Sequence, residues 1–264
     1  MLQDSDVCIV LATSVKNQKD KAKSLSSDLG LPFCKSDNTT FKYHLVYTDN
    51  RLELHHNPHL INFKVLPIFV DFIKNNRVHR RILSTTIKDP LPKAVGIKPG
   101  IRPQIVDATA GLGMDSMHLA WLGCQVTLIE RSPIIHALLQ DGIVRARDNK
   151  DLRRIIDKNI SLIHGDSIEI LNTFQSLPHT VLLDPMYPIG SKNSQNKKEM
   201  RILRHLVGDD EDINKLFTTA LQNAENRVVI KRPKHAPLLK NNPLPSHQIS
   251  MKSGRFDVYL IGHL

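Results

Sequence analysis

The sequence predicts an α/β protein: a doubly wound, mostly parallel sheet closed by an antiparallel hairpin, with a small α+β segment ahead of it. Three observations predict this. Beyond residue 89, short apolar β-like runs alternate regularly with amphipathic helical runs. A glycine-rich turn joins the first of those strands to its helix. After Pro243 the chain is strand-like with no helix between the strands, as a closing hairpin requires.

The elements follow in order. Val7-Cys8-Ile9-Val10-Leu11 reads as a strand, and residues 16–29 as a polar helix stopped by Gly30 and Pro32. Residues 43–47 and 51–54 alternate around Asp49-Asn50, which predicts a hairpin. The apolar residues 68–73 precede the basic cluster Arg77, His79, Arg80 and Arg81. Two proline-rich stretches, Asp89-Pro90-Leu91-Pro92 and Lys98-Pro99-Gly100-Ile101-Arg102-Pro103, then mark a boundary. This divides the chain into an N-terminal subdomain, residues 1–88, and a main domain, residues 89–264. In the main domain the strand-like runs are 105–108, 126–130, 160–164, 181–184, 228–231 and 256–261. Helix-like runs are 116–122, 134–147, 168–174 and 213–225.

Composition narrows the function classes. The chain of 264 residues is 41% hydrophobic and 23% charged, enough to bury a full core. Its 36 Lys and Arg against 26 Asp and Glu give a net charge of +10, which favours a polyanionic partner, nucleic acid first. Three cysteines stand far apart, against a zinc site or a disulfide framework. No run approaches the roughly 20 apolar residues of a membrane span, and 7–12 is too short for a secretory core, so a cytoplasmic protein is expected. His55, His56 and His59 straddle Asn57-Pro58 with no acids clustered nearby, so no metal is expected there.

The chemistry concentrates at strand ends. In Asp107-Ala108-Thr109-Ala110-Gly111-Leu112-Gly113-Met114-Asp115, two glycines let the backbone approach a ligand, and the helix that follows points its positive end at it. Glu130 ends the next strand, where a carboxylate can bind both hydroxyls of a ribose. A dinucleotide fingerprint wants a third glycine where Ser116 stands, and Asp107 and Asp115 would repel a pyrophosphate. The acids suit a cationic nucleoside such as S-adenosylmethionine. Asp166 and Ser167 close the third strand, either to hydrogen-bond an adenine or to cap the next helix.

The fourth strand ends in Asp184-Pro185-Met186-Tyr187-Pro188. The Asp184 carboxylate can accept hydrogen bonds from an exocyclic amine, the prolines fix the backbone carbonyls, and Tyr187 can stack on a planar base. Basic residues follow: Lys192, Lys197, Lys198 and Arg201, with Lys231 and Arg232 at the end of the fifth strand. Beside a base pocket, these are candidate phosphate contacts for RNA, set against a merely solvated surface.

These motifs, in order, resemble the ribosomal RNA small subunit methyltransferase J family of class I (Rossmann-like) S-adenosylmethionine-dependent methyltransferases. The resemblance rests on residues 107–115, 183–188, 197–201, Val229-Ile230-Lys231-Arg232-Pro233 and Gly254-Arg255-Phe256-Asp257, and covers nearly the whole chain. It implies methylation of a guanine exocyclic N2 in 16S ribosomal RNA, free or in the small subunit. By position it implies cofactor contacts at Met114, Asp115, Glu130, Arg131, Asp166, Ser167 and Asp184, beside the turn residues Asp107, Gly111 and Gly113. Family members often carry Arg where this chain has Met114, so the implied contact there is through the backbone. The residues alone leave other readings open: an adenine-N6 methyltransferase, a non-catalytic RNA-binding protein on the same fold, or a dinucleotide oxidoreductase.

Overall fold

The computed structural model describes residues 6–11, 18–34, 40–61, 65–73, 86–186, 202–204, 212–239 and 242–262. The chain forms two compact units. The first holds most of the N-terminal segment and residues 132–145; the second holds the large sheet.

In the first unit, strands β1 (Val7–Leu11), β2 (Phe33–Cys34), β3 (Tyr43–Tyr47) and β4 (Leu52–His56) form a sheet of order β2-β1-β3-β4. Helix α1 (Lys19–Leu29) ends at Gly30 in the left-handed conformation, the stop expected from the sequence. The expected hairpin is β3–β4, antiparallel, with Leu45 opposite Leu54. Of the apolar residues after it, Ile68 bridges to Leu54, and Ile68, Val70 and Phe72 are buried.

In the second unit a short helix, α2 (Pro90–Ala94), occupies the proline-rich boundary, with Pro90 at its first position where no N–H is needed. Then come β5 (Ile105–Asp107), α3 (Met114–Trp121), β6 (Val126–Glu130), α4 (Pro133–Ala146), α5 (Lys150–Asn159) and β7 (Ile160–His164). They are followed by α6 (Ser167–Leu171), β8 (Thr180–Leu183), α7 (Ile213–Gln222), β9 (Arg227–Pro233), β10 (His247–Ser250) and β11 (Gly254–Leu260). Most of α4 belongs to the first unit.

The second helix between β6 and β7, α5, is not among the helices expected from the sequence. Its charged residues conceal Leu152 and Ile156, four apart and both buried, and Asn149 caps it by accepting from the N–H groups of Asp151 and Leu152.

The large sheet has the order β10-β11-β9-β8-β5-β6-β7. Strands β7, β6, β5, β8 and β9 run parallel, and β11 pairs antiparallel with both β9 and β10. The closing hairpin is as expected, with its later strand inserted between β9 and β10. One hydrophobic cluster joins the sheet to α6 and α7, including Val106, Val181, Leu183, Phe217, Val228, Ile230 and Tyr259. The Phe217 and Tyr259 rings meet edge to face at 4.7 Å.

Two of the family-like motifs meet within this hairpin. Arg255 is the register partner of Arg232, and Gly254 that of Pro233. A Cβ on Gly254 would lie 2.6 Å from the Arg232 carbonyl oxygen, so only glycine fits there. Asp257 is fully buried and takes a two-pronged ion pair from Arg255, at 2.7 and 3.2 Å. The Arg232 Nε lies 3.8 Å from the same carboxylate. Arg255 also donates to the carbonyls of Pro233, Lys234 and Ala236, and Arg232 Nη2 donates to that of Pro237. The carboxylate is thus shared by two buried arginines that tie down the chain after β9. Asp257→Ala is expected to cost about 3–5 kcal/mol in urea unfolding, since it strands buried cations. A loss below about 1 kcal/mol would show that the arginines find other compensation.

Candidate active site

The site is built at the carboxyl edge of the parallel strands, where β5, β6, β7 and β8 all release the chain into loops. Those loops are stitched together by backbone bonds past the strand ends. The Ala108 N–H donates to Leu182, Ala110 to Ile129 and Gly165 to Glu130.

The glycine turn has the geometry its sequence requires. Gly111 and Gly113 have φ of 53° and 73°, the left-handed region that residues with a Cβ avoid, and Gly113 is the residue from which α3 starts. The Gly111 N–H donates to Glu130 Oε2 at 2.8 Å, so the turn and the acid at the end of β6 are locked together. Ser116, in the place of the missing third glycine, is fully buried and donates its hydroxyl to Asp107 Oδ2 at 2.5 Å. Thr109 N–H donates to the other oxygen of Asp107 at 3.3 Å. Burial pushes the Asp107 carboxyl up to about 7, against these two hydrogen bonds, and the nearby charges of Asp115 and Asp184 add to the rise.

Asp184 leaves β8 with an exposed side chain, followed by the buried Pro185. Its backbone N–H donates to the Thr109 hydroxyl at 2.6 Å, which joins the acid–proline motif directly to the glycine turn. Its Oδ2 accepts from Lys231 Nζ at 2.7 Å, and the same ammonium reaches Asp115 Oδ2 at 2.7 Å. Burial alone would lower the Lys231 ammonium. The charges and hydrogen bonds of Asp184 and Asp115 outweigh it and hold the group well above the usual lysine range.

Several expected site residues have structural partners. Asp166 Oδ1 accepts from the Ile168 N–H at 2.7 Å, which caps α6, and the Ser167 hydroxyl donates to the Ala108 carbonyl at 2.6 Å. Arg131 Nη1 pairs with Asp212 Oδ2 at 3.1 Å. Met114 is the first residue of α3. Lys231 departs from the expectation of a phosphate contact: it stands inside the acid cluster. Arg232 departs further, because it is only 5% exposed and belongs to the Asp257 network. Tyr187, Lys192, Lys197, Lys198 and Arg201 lie outside the described residues, as do Arg77, Arg80 and Arg81.

Sequence reasoning missed the roles of Thr109 and Lys231. A signal for the second exists. Leu183 and Ile230 are register partners on neighbouring strands, so the next residues, Asp184 and Lys231, come side by side at the edge where β8 ends. Once β8 and β9 are placed next to each other, an acid and a lysine at those positions imply an ion pair.

A set of acids around a glycine turn excludes a pyrophosphate and fits a cationic ligand, and the ammonium already held between Asp115 and Asp184 shows that this edge accommodates positive charge. The sheet, the turn and the acid at the end of its neighbouring strand define a class I S-adenosylmethionine-dependent methyltransferase. Residues 25–261 match the family described as "Putative SAM-dependent methyltransferase". A crystal structure of a SAM-dependent methyltransferase from Neisseria gonorrhoeae superposes with a TM-score of 0.73 at 31% identity, covering 97% of this chain and 96% of that one. Two relatives named ribosomal RNA small subunit methyltransferase J are closer in sequence. The one from Desulfotalea psychrophila is 50% identical over 75% of each chain. The one from Pseudomonas savastanoi pv. phaseolicola is 42% identical over 95% of this chain and 90% of its own. The chain belongs to the ribosomal RNA small subunit methyltransferase J family. Its cofactor is S-adenosylmethionine.

Asp107 makes the stability of this site depend on pH. Its carboxyl titrates near 7 in the folded protein against 3.8 ordinarily, so between those values the folded state keeps a proton that the unfolded chain has released. Stability contributed by the protonated group is complete below about 4 and is lost as pH rises to about 7. Urea unfolding of wild type relative to Asp107→Asn is expected to fall across this window, by up to about 1.4 kcal/mol per pH unit, and to level off above it. A difference independent of pH would contradict the assignment.

Proposed function

We propose that this protein transfers a methyl group from S-adenosylmethionine to the exocyclic N2 of a guanine in 16S ribosomal RNA, free or within the small subunit. The observation that carries this reading is the Asp184 carboxylate: exposed at the sheet edge, pinned through its own backbone to the glycine turn, and paired to a cation. The guanine and the RNA come from the family's name and the motif likeness; the adenine-N6 alternative has no observation in its favour.

Glu130 and Asp115, with the backbone around Gly111, Gly113 and Met114, are the groups that would hold the cofactor, with Asp166 at the adenine end. Bound there, S-adenosylmethionine supplies a methyl group already activated by a cationic sulfur. What the chain must provide is an environment that makes guanine N2 nucleophilic, because its lone pair is delocalised into the ring. Asp184 accepts one N–H of the amine and the Pro185 carbonyl the other, which favours a pyramidal nitrogen with its lone pair outside the ring. The carboxylate also stabilises positive charge developing on nitrogen, and it stands ready to accept the proton lost as NH₂ becomes NHCH₃. Tyr187 supplies the ring on which the unstacked base rests. Lys192, Lys197, Lys198 and Arg201 follow closely in the chain and are assigned to RNA phosphates.

On this reading residues 89–264 carry the methyltransferase chemistry, residues 1–88 form an accessory subdomain, and the work is done in the cytoplasm where ribosomes are assembled. Among the described residues no helix is long and apolar enough to cross a membrane.

The test is direct. Mass mapping of 16S ribosomal RNA from cells lacking the protein should show one unmethylated guanine, restored by the wild-type gene and not by Asp184→Ala. The purified variant should keep its folded circular dichroism and lose at least about 100-fold in methyl transfer. Near-normal activity of Asp184→Ala, or an unchanged modification map, refutes the reading.

A further inference from the structure

We infer that Lys231 is a positioning residue for methyl transfer: its ammonium, held between Asp115 and Asp184, keeps the Asp184 carboxylate ionised and aimed to accept the amine N–H. The inference rests on the reading of Asp184 as the group that receives the amine.

Three carboxylates come together here from three elements. Asp184 follows β8, Asp115 lies in the first turn of α3 and Asp107 ends β5; Lys231, from β9, brings the cation that Asp115 and Asp184 share. Both Asp115 and Asp184 are 2.7 Å from one nitrogen, so their oxygens are forced close together and would repel without it. Deprived of the ammonium, Asp184 would be driven toward its protonated form by the charge of Asp115. A protonated carboxyl offers a donor where the amine needs an acceptor, and it no longer stabilises a developing cation. The second anchor matters as much as the first. Asp115 holds Nζ from the other side, so the ammonium cannot swing away from Asp184 as a solvent-exposed pair would.

This role differs measurably from binding an RNA phosphate. Removing a cation that binds phosphate would raise KM for RNA and flatten the salt dependence of binding. Removing a positioning residue would lower kcat and move the acid side of the pH profile.

The experiment compares wild type, Lys231→Met and Lys231→Arg between pH 5 and 9, with S-adenosylmethionine and either small ribosomal subunits or deproteinised small-subunit RNA. Lys231→Met is expected to lower kcat by about 100-fold. Its KM for RNA should change less than about threefold, and the acid limb should rise by at least about one pH unit. Lys231→Arg restores a cation and should recover activity to within about tenfold of wild type. A second measurement needs no turnover: ¹³C NMR titration of the aspartate carboxylates, with Asp184 assigned by its loss in Asp184→Asn. The Asp184 titration should move up by at least about one unit in Lys231→Met. An unchanged titration overturns the inference, and so does a raised KM with normal kcat. If wild type proves inactive on both RNA substrates while the Asp184 titration still moves, the proposed reaction fails and the ion-pair role stands.

Discussion

The ammonium of Lys231, shared between Asp115 and Asp184, is the interaction around which the carboxyl edge of the large sheet is arranged. A cofactor with a cationic sulfur and an ammonium group calls for carboxylates. Gathering them at one sheet edge creates repulsion that the fold must meet locally. Each acid here has its own answer. Asp107 is buried and titrates near neutrality under a serine hydroxyl, Glu130 accepts a glycine N–H, and the remaining two divide a lysine. Because the donors come from the turn, from α3 and from β9, the acids also bind the loops to one another. The glycine turn is held from both sides, through Glu130 at Gly111 and through Asp184 at Thr109.

Elsewhere the second unit solves a related problem in the opposite sense. At Asp257 one buried carboxylate serves two arginines, and the guanidinium edges that remain donate to four backbone carbonyls in residues 233–237. Among the described residues the stretch leaving β9 has no sheet partner beyond Pro233, and the side chains of Arg232 and Arg255 hold it. The basic run Lys231-Arg232 therefore has two destinations. Alternate residues of a strand face opposite ways, so one goes to the acid cluster and the next to the hairpin.

Much of this was legible in the residues. The alternation of apolar runs placed β5, β6, β7, β8 and β9, and the lack of a helix after Pro243 placed the hairpin, because buried parallel strands are written as short continuous apolar stretches. The glycine turn and Glu130 could be paired from spacing alone. What escaped did so for physical reasons. Helix α5 presents a face so charged that its narrow apolar stripe, Leu152 with Ile156, hides in it. Asp166 could bind a ligand or cap a helix, and the sequence is the same for either; its bond to the Ile168 N–H supplies the second role. Lys231 and Arg232 looked alike as cations at a strand end. Only the register of β8 on β9, and of β11 on β9, separates a lysine among acids from an arginine in the core.

The order of strands carries one more consequence, for the growing chain. Strand β10 precedes β11 in the sequence, yet it joins the sheet only through β11. A nascent polypeptide that has completed β10 therefore has no strand to pair it with, and β9 meanwhile offers a bare row of backbone N–H and C=O groups on that side. Until the segment 254–260 emerges, that row can pair with a neighbouring chain as readily as with its own. Synthesis thus passes through an interval of exposure that ends when β11 inserts, and in the same event the fully buried Asp257, with Arg255 beside it on the strand, meets Arg232.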